Sequence, residues 1–147
     1  FDAASFDQPL DDWDVSNVNN MAFMFAAATK FNQPLRNWTP SKVEDFESMF
    51  DYALRFDQPL GNWKIESANN LNRMFTGALH FNQDLCGWKQ YLAKESEEAE
   101  QESSGRKKRR ARKTTTKTKK NYFANAYQMF EGTSCKYNTA NLCHRCE

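Results

Sequence analysis

Large apolar residues return along this chain at a fixed interval of 25 positions. Phe6, Phe31, Phe56 and Phe81 each open a copy of one unit. Segments 6–30, 31–55 and 56–80 align without a gap, and a fourth copy starts at Phe81. A period of this length is the mark of a solenoid, whose coils bury their apolar side only against each other. The first half of the unit reads F-[DN]-Q-[PD]-L-x-x-W-x-[VPIQ]. Trp13 and Val15 alternate with Asp12 and Asp14, which predicts a short strand with one apolar face. Trp63 and Ile65 repeat this; Trp38 and Pro40 do so less well, and Pro40, lacking an N–H, is expected at the strand's end.

The second half changes period. Val18, Met21, Met24, Phe25 and Ala28 fall on one helical face, as do Val43, Phe46, Met49, Phe50 and Ala53, and Ala68, Leu71, Met74, Phe75 and Ala78. Ser41 with Glu44 fits a capping box, and Ser16 a cap alone. Each coil is therefore expected to be a short strand, a short helix and a return turn through F-x-Q-P. The column Gln8, Gln33, Gln58 and Gln83 is read as a ladder of stacked amides, with solvent-facing glutamines as the alternative.

After Trp88 the pattern stops. Segment 94–120 is low in complexity and nearly free of apolar residues, so it cannot build a core and is expected to be disordered. The pattern resumes where Phe123, Ala126, Met129 and Phe130 align with Val18, Met21, Met24 and Phe25. The fourth coil thus carries a 30-residue insertion between its two halves. Three regions follow: a repeat solenoid over 1–93, a charged insertion over 94–120, and over 121–147 the end of the fourth coil with a Cys-rich cap. Phe1–Ser5 reads as the tail of an earlier coil, matching Asp51–Arg55. The chain is therefore expected to be a fragment, with any membrane anchor in parts not present here.

Composition refines this. Hydrophobic residues are 39% and aromatics 14%, so the apolar content sits in a few large side chains. The net charge of +1 hides an asymmetry. Segment 94–120 has a local net of +6 and the remainder −5.

The run F-N-Q-P-L-x-x-W-x-V-S-x-V-x-x-M-x-x-M-F-x-x-A at this period resembles the BspA-type leucine-rich-repeat surface proteins. These include mycoplasma surface lipoproteins of unknown function and surface or secreted proteins of diatoms and other microalgae. The ending M-F-E-G-T-S-C…C-x-x-C resembles the cysteine-containing end of the algal members. The resemblance implies an α/β, leucine-rich-repeat-like solenoid. It also implies an extracellular or cell-surface location and a non-catalytic role in adhesion or protein binding. Pro40, Ala68 and the basic insertion depart from the pattern.

With that resemblance, Cys86, Cys135, Cys143 and Cys146 suggest two disulfides, one joining Cys86 to the cap and one inside it. An all-cysteine zinc site and free thiols are the alternatives. Outward positions Asp12, Asp14, Asn37, Thr39, Asn62, Lys64 and Lys89 form the expected binding face for a protein or glycan. Asn37-Trp38-Thr39 is a glycosylation sequon. The basic run Arg106–Lys120 is read first as a solvated loop. With no aromatic interleaved, it does not favour base stacking. The alternative function is an intracellular scaffold whose insertion directs nuclear or nucleic-acid association. Asp7, Asn32, Asp57 and Asn82 form a column with weak calcium potential. His80 and His144 pair with no evident nucleophile, so no catalytic residue, metal or cofactor is expected, and the chain is expected to be a monomer.

Overall fold

The computed structural model describes residues 3–92 and 128–133. Residues 94–120, and with them the expected disorder, lie outside the described part, as do Cys135, Cys143 and Cys146.

Consecutive copies lie one on another in parallel register. Asn20 pairs with Asp45, and Asp45 with Asn70. The ladder runs through the second half of each unit, and it is not built from helices. Met24, Ala26 and Ala28 donate their N–H to the carbonyls of Met21, Phe23 and Phe25, three residues back in the same coil. Between them, Met21, Phe23, Phe25 and Ala27 donate across to Asp45, Glu47, Met49 and Asp51 of the next coil, at 2.7–2.9 Å. The second coil repeats this onto the third, where Phe46, Ser48, Phe50 and Tyr52 donate to Asn70, Asn72, Met74 and Thr76. An α-helix keeps every N–H inside one segment. Here every second N–H joins neighbouring coils.

Left-handed residues make this path possible. Phe23, Ala27, Ser48, Tyr52, Arg73, Gly77 and Gly132 all have φ between 51° and 75°. Each is the third residue of a four-residue turn closed by the bonds above, the place where type II turns need positive φ. Two such turns in tandem, Met21–Met24 and Phe25–Ala28, put their end residues inward. The inward spacing is then i, i+3, i+4, i+7, the same as a helical face. This is why the helices expected over Val18–Ala28 and its copies are absent from the described residues, which hold turns there.

The strands expected around Trp13–Val15 are likewise absent among the described residues. That half folds through tight turns, with Trp13 N–H bonded to Leu10 and Val18 N–H to Val15. Pro40 fits without disruption because Val15 and Ile65, its equivalents, donate no backbone bond among the described residues either, and Pro40 is buried. The Ser41–Glu44 capping box does not form, since Glu44 N–H goes to Asn19 O of the preceding coil.

Side chains lock the first half. Trp38, Trp63 and Trp88 donate their indole N–H to the carbonyls of Leu10, Leu35 and Leu60, each one coil back, at 2.9–3.0 Å. Phe31, Phe56 and Phe81 stack in a column, with centroids 5.9 and 6.1 Å apart. A second column holds Phe25, Phe50, Phe75 and Phe130, with spacings of 5.4, 5.5 and 5.7 Å. Phe130 therefore completes the fourth coil from beyond the insertion, and Phe75 N–H bonds Met129 O to join it. The first part of this coil ends in a 3-10 turn at Cys86–Trp88 and a short helix, α1, at Lys89–Leu92. Among the described residues no helix is long and apolar enough to cross a membrane.

The glutamine column is a ladder, but not of amide on amide. Gln33, Gln58 and Gln83 each donate Nε2 to the side-chain oxygen of Asp7, Asn32 and Asp57, at 2.8–3.0 Å. The same oxygens accept the backbone N–H of Asn32, Asp57 and Asn82. Either Asp or Asn supplies that oxygen, which accounts for their alternation.

Candidate functional site

One set of columns in the unit faces outward. Trp38 and Trp63 turn inward, and their neighbours on either side turn out. Asp12, Asp14, Asn37, Thr39, Asn62, Lys64 and Lys89 are all exposed. The structure thus brings the seven expected face residues onto the outward side of the first halves of the coils.

Charge along this face is graded. Asp11, Asp12 and Asp14 gather on the first coil, Arg36 lies on the second, Lys64 on the third and Lys89 on the fourth. Asp14 accepts the N–H of Ser16 at 2.9 Å. Bonding from Ser16, helped by the attraction of Lys42, holds its carboxyl below the usual value and so keeps it ionised. Lys42 itself donates to Asn17 at 2.7 Å. Such a face can receive polar and charged groups from a partner.

Two of its residues are partly committed. Asn37 donates both its backbone N–H and its Nδ2 to Asp11, each at 2.9 Å. Asp11 also faces Arg36 Nε at 3.6 Å. The Asn37 nitrogen that a glycan would take is therefore engaged, and Trp38 in the middle of the sequon is buried. Asp11 is the face residue that sequence reasoning missed. Its signal was the first acidic residue of the Asp11-Asp12 pair, one coil before Arg36.

Cys86 is half-buried and disulfide-bonded, and its N–H is held by Asp84 Oδ1 at 2.7 Å. Cys135, Cys143 and Cys146 lie outside the described residues. Among the described residues no three His, Cys, Asp or Glu side chains group as a metal site. In the column once considered for calcium, the Oδ1 atoms of Asp7, Asn32 and Asp57 each already accept two N–H groups. His80 is exposed on the far edge of its coil.

One further polar cluster lies in the turn half. Asp51 Oδ2 meets Arg73 at 3.2 Å, while Asp51 Oδ1 is buried without a hydrogen-bond partner among the described residues. Burial pushes this carboxyl up, against the pull of Arg73 and a bond from Ser48.

A family model described as Mycoplasma protein of unknown function, DUF285, matches residues 1–105. No curated protein and no solved structure matches the chain.

Proposed function

The chain belongs to this Mycoplasma family, DUF285, and from that premise we propose that it is a non-catalytic extracellular or cell-surface protein. It binds a protein or glycan through the outward face of its coils. On this reading the stack is a relative of the BspA-type leucine-rich-repeat solenoid that carries its ladder in turns.

One observation carries the reading. Inward columns keep Phe, Leu and Trp from coil to coil, while the face changes from Asp14 to Thr39 to Lys64 at undiminished exposure. Variation where the fold makes no demand leaves those side chains available for recognition, and extended faces are where repeat proteins bind. The disulfide at Cys86 supports an oxidising compartment.

The test uses immobilised chain against panels of extracellular-matrix proteins and surface glycans. The paired reversals Asp12→Lys with Asp14→Lys, and Lys64→Glu with Lys89→Glu, should each weaken a hit; the second pair should leave the melting temperature unchanged, and the first should lower it only by the loss of the Asp14–Ser16 bond. Full affinity in both would remove the face from the account. Thiol titration without reductant should find no free thiol at Cys86; four free thiols would sink the extracellular reading.

A further inference from the structure

We propose that the return turns of three consecutive coils form a line of anion-binding side chains that takes a linear acidic polysaccharide. The line is Lys30, Arg55 and His80. It lies on a different part of the coils from the outward face of the first halves, and it does not depend on the reading given for that face. Each return turn is built the same way. The N–H of Phe31, Phe56 and Phe81 closes it onto the carbonyl of Ala28, Ala53 and Ala78, at 3.0–3.1 Å. Lys30, Arg55 and His80 therefore hold the same place in the same turn, each directly before a phenylalanine of the stacked column.

That column sets the spacing. Its rings lie 5.9 and 6.1 Å apart, so the three side chains leave the stack at roughly 6 Å intervals. All three are exposed, and none forms an ion pair among the described residues. Arg36, Lys42 and Arg73, by contrast, each meet a side-chain oxygen of the preceding coil, on Asp11, Asn17 and Asp51. Two positions further along the repeat, Asp7 and Asp57 commit Oδ1 to the next coil's glutamine and backbone N–H, and so do not answer the line. Lys30 and Arg55 on adjacent coils repel each other, and the turn closes through backbone bonds that ask for no basic side chain. His80 extends the line in either protonation state, because a neutral imidazole still carries one N–H donor.

The surroundings select the ligand. The preceding position of each turn holds Thr29, Leu54 and Leu79, with Leu79 49% exposed. A row of donors thus runs beside a partly aliphatic ridge. An acidic polysaccharide suits both, with regularly spaced anionic groups for the donors and the C–H faces of its rings for the ridge. Nucleic acid suits them less well. A single strand is held by stacking its bases on aromatic side chains, and neither the line nor the ridge has one. A duplex sets its phosphates about 3.4 Å apart along each strand, closer than the donors stand.

The experiment uses the full chain. Titration calorimetry at low salt measures binding to polygalacturonate, a carboxylate polymer, and to dextran sulfate, a sulfate polymer, with neutral dextran as the blank. Lys30→Glu with Arg55→Glu should weaken binding to at least one of the two by about tenfold or more, and leave the melting temperature unchanged. The polymer that responds names the acidic group. Lys64→Glu with Lys89→Glu makes the same change of charge away from the line and should weaken binding by about twofold or less. The run Arg106–Lys120 is common to every variant, so a difference between variants reports the line. NMR adds a local readout. The imidazole resonances of His80, assigned by their loss in His80→Asn, should shift when the responding polymer is added. The proposal is overturned if the Lys30/Arg55 variant binds both polymers like the parent, if the two double variants lose equally, or if His80 does not respond. It is also overturned if neutral dextran binds as well, or if a DNA oligonucleotide depends on the line more than either polymer does.

Discussion

Replacing Trp63 by Phe asks how much of the stack rests on its indole–carbonyl bonds. Trp63 is 1% exposed, and its N–H lies 3.0 Å from Leu35 O. The change removes that donor, though Leu35 O still accepts the backbone N–H of Trp38 at 3.3 Å. Losing the bond costs about 1 kcal/mol net. The apolar atoms removed, and the space they leave beside the rings of Trp38 and Phe46, add roughly 1–2 kcal/mol. The expected loss is therefore about 2–3 kcal/mol. Trp13→Phe is the internal control. The same chemistry at an open end should cost roughly 0.5 kcal/mol or less. Urea denaturation of both variants measures the difference, with the slope unchanged so that midpoints report stability. Equal losses at the two sites would refute the claim that burial against a preceding coil, and not the residue type, sets the cost.

The left-handed turns give a second test. Gly77 has φ of 67°, and a Cβ there would lie 2.9 Å from the Tyr52 ring, so Gly77→Ala should cost about 1–3 kcal/mol. Ala27→Gly, at exposed Ala27 with φ of 58°, should instead stabilise by about 1 kcal/mol; thermal melts of both decide. Burial raises the Asp51 carboxyl above its ordinary 3.8, so the folded state holds that proton more tightly than the unfolded. Its ionisation therefore lowers stability as pH rises from the ordinary value through the raised one. Asp51→Asn should melt higher than the parent at about pH 7, with the gain gone at about pH 3. Asp14, held low, acts in the opposite sense: its contribution is present above the ordinary value and fades as pH falls. Deleting 94–120 should leave the melting temperature nearly unchanged, because that segment offers almost no apolar side chains to a core and loop length enters stability only logarithmically. A large loss would make the segment part of the fold.

Much of the architecture was legible because each copy of the repeat makes the same demands. The buried columns of Phe, Leu, Trp and Met follow directly from the 25-residue register, and the place of Phe130 follows from alignment alone. The local backbone was not legible, for a specific reason. Tandem four-residue turns bring Met21, Met24, Phe25 and Ala28 inward at helical spacing, so periodicity could not tell the two apart. The distinguishing signal lay in polar residues. Asn20, Asp45 and Asn70 each accept the N–H two residues on, and such Asx turns divert a chain from helix. The alternation of Asp and Asn after each repeat's Phe looked like a surface or cation column. Its role as a shared acceptor became visible only once the next coil's Gln was placed beside it. The outward face was legible as exposed, because nothing in the repeat pattern constrains it, and for the same reason its pattern carries no ligand's signature.

The central claim is that alternate N–H groups of the turn half cross to the next coil. Through-hydrogen-bond NMR couplings test it at Phe50, whose N–H lies 2.8 Å from Met74 O. A coupling from the Phe50 amide to the Met74 carbonyl is the predicted result. A coupling to the carbonyl of Phe46, four residues back, would show a helix in its place and contradict the account.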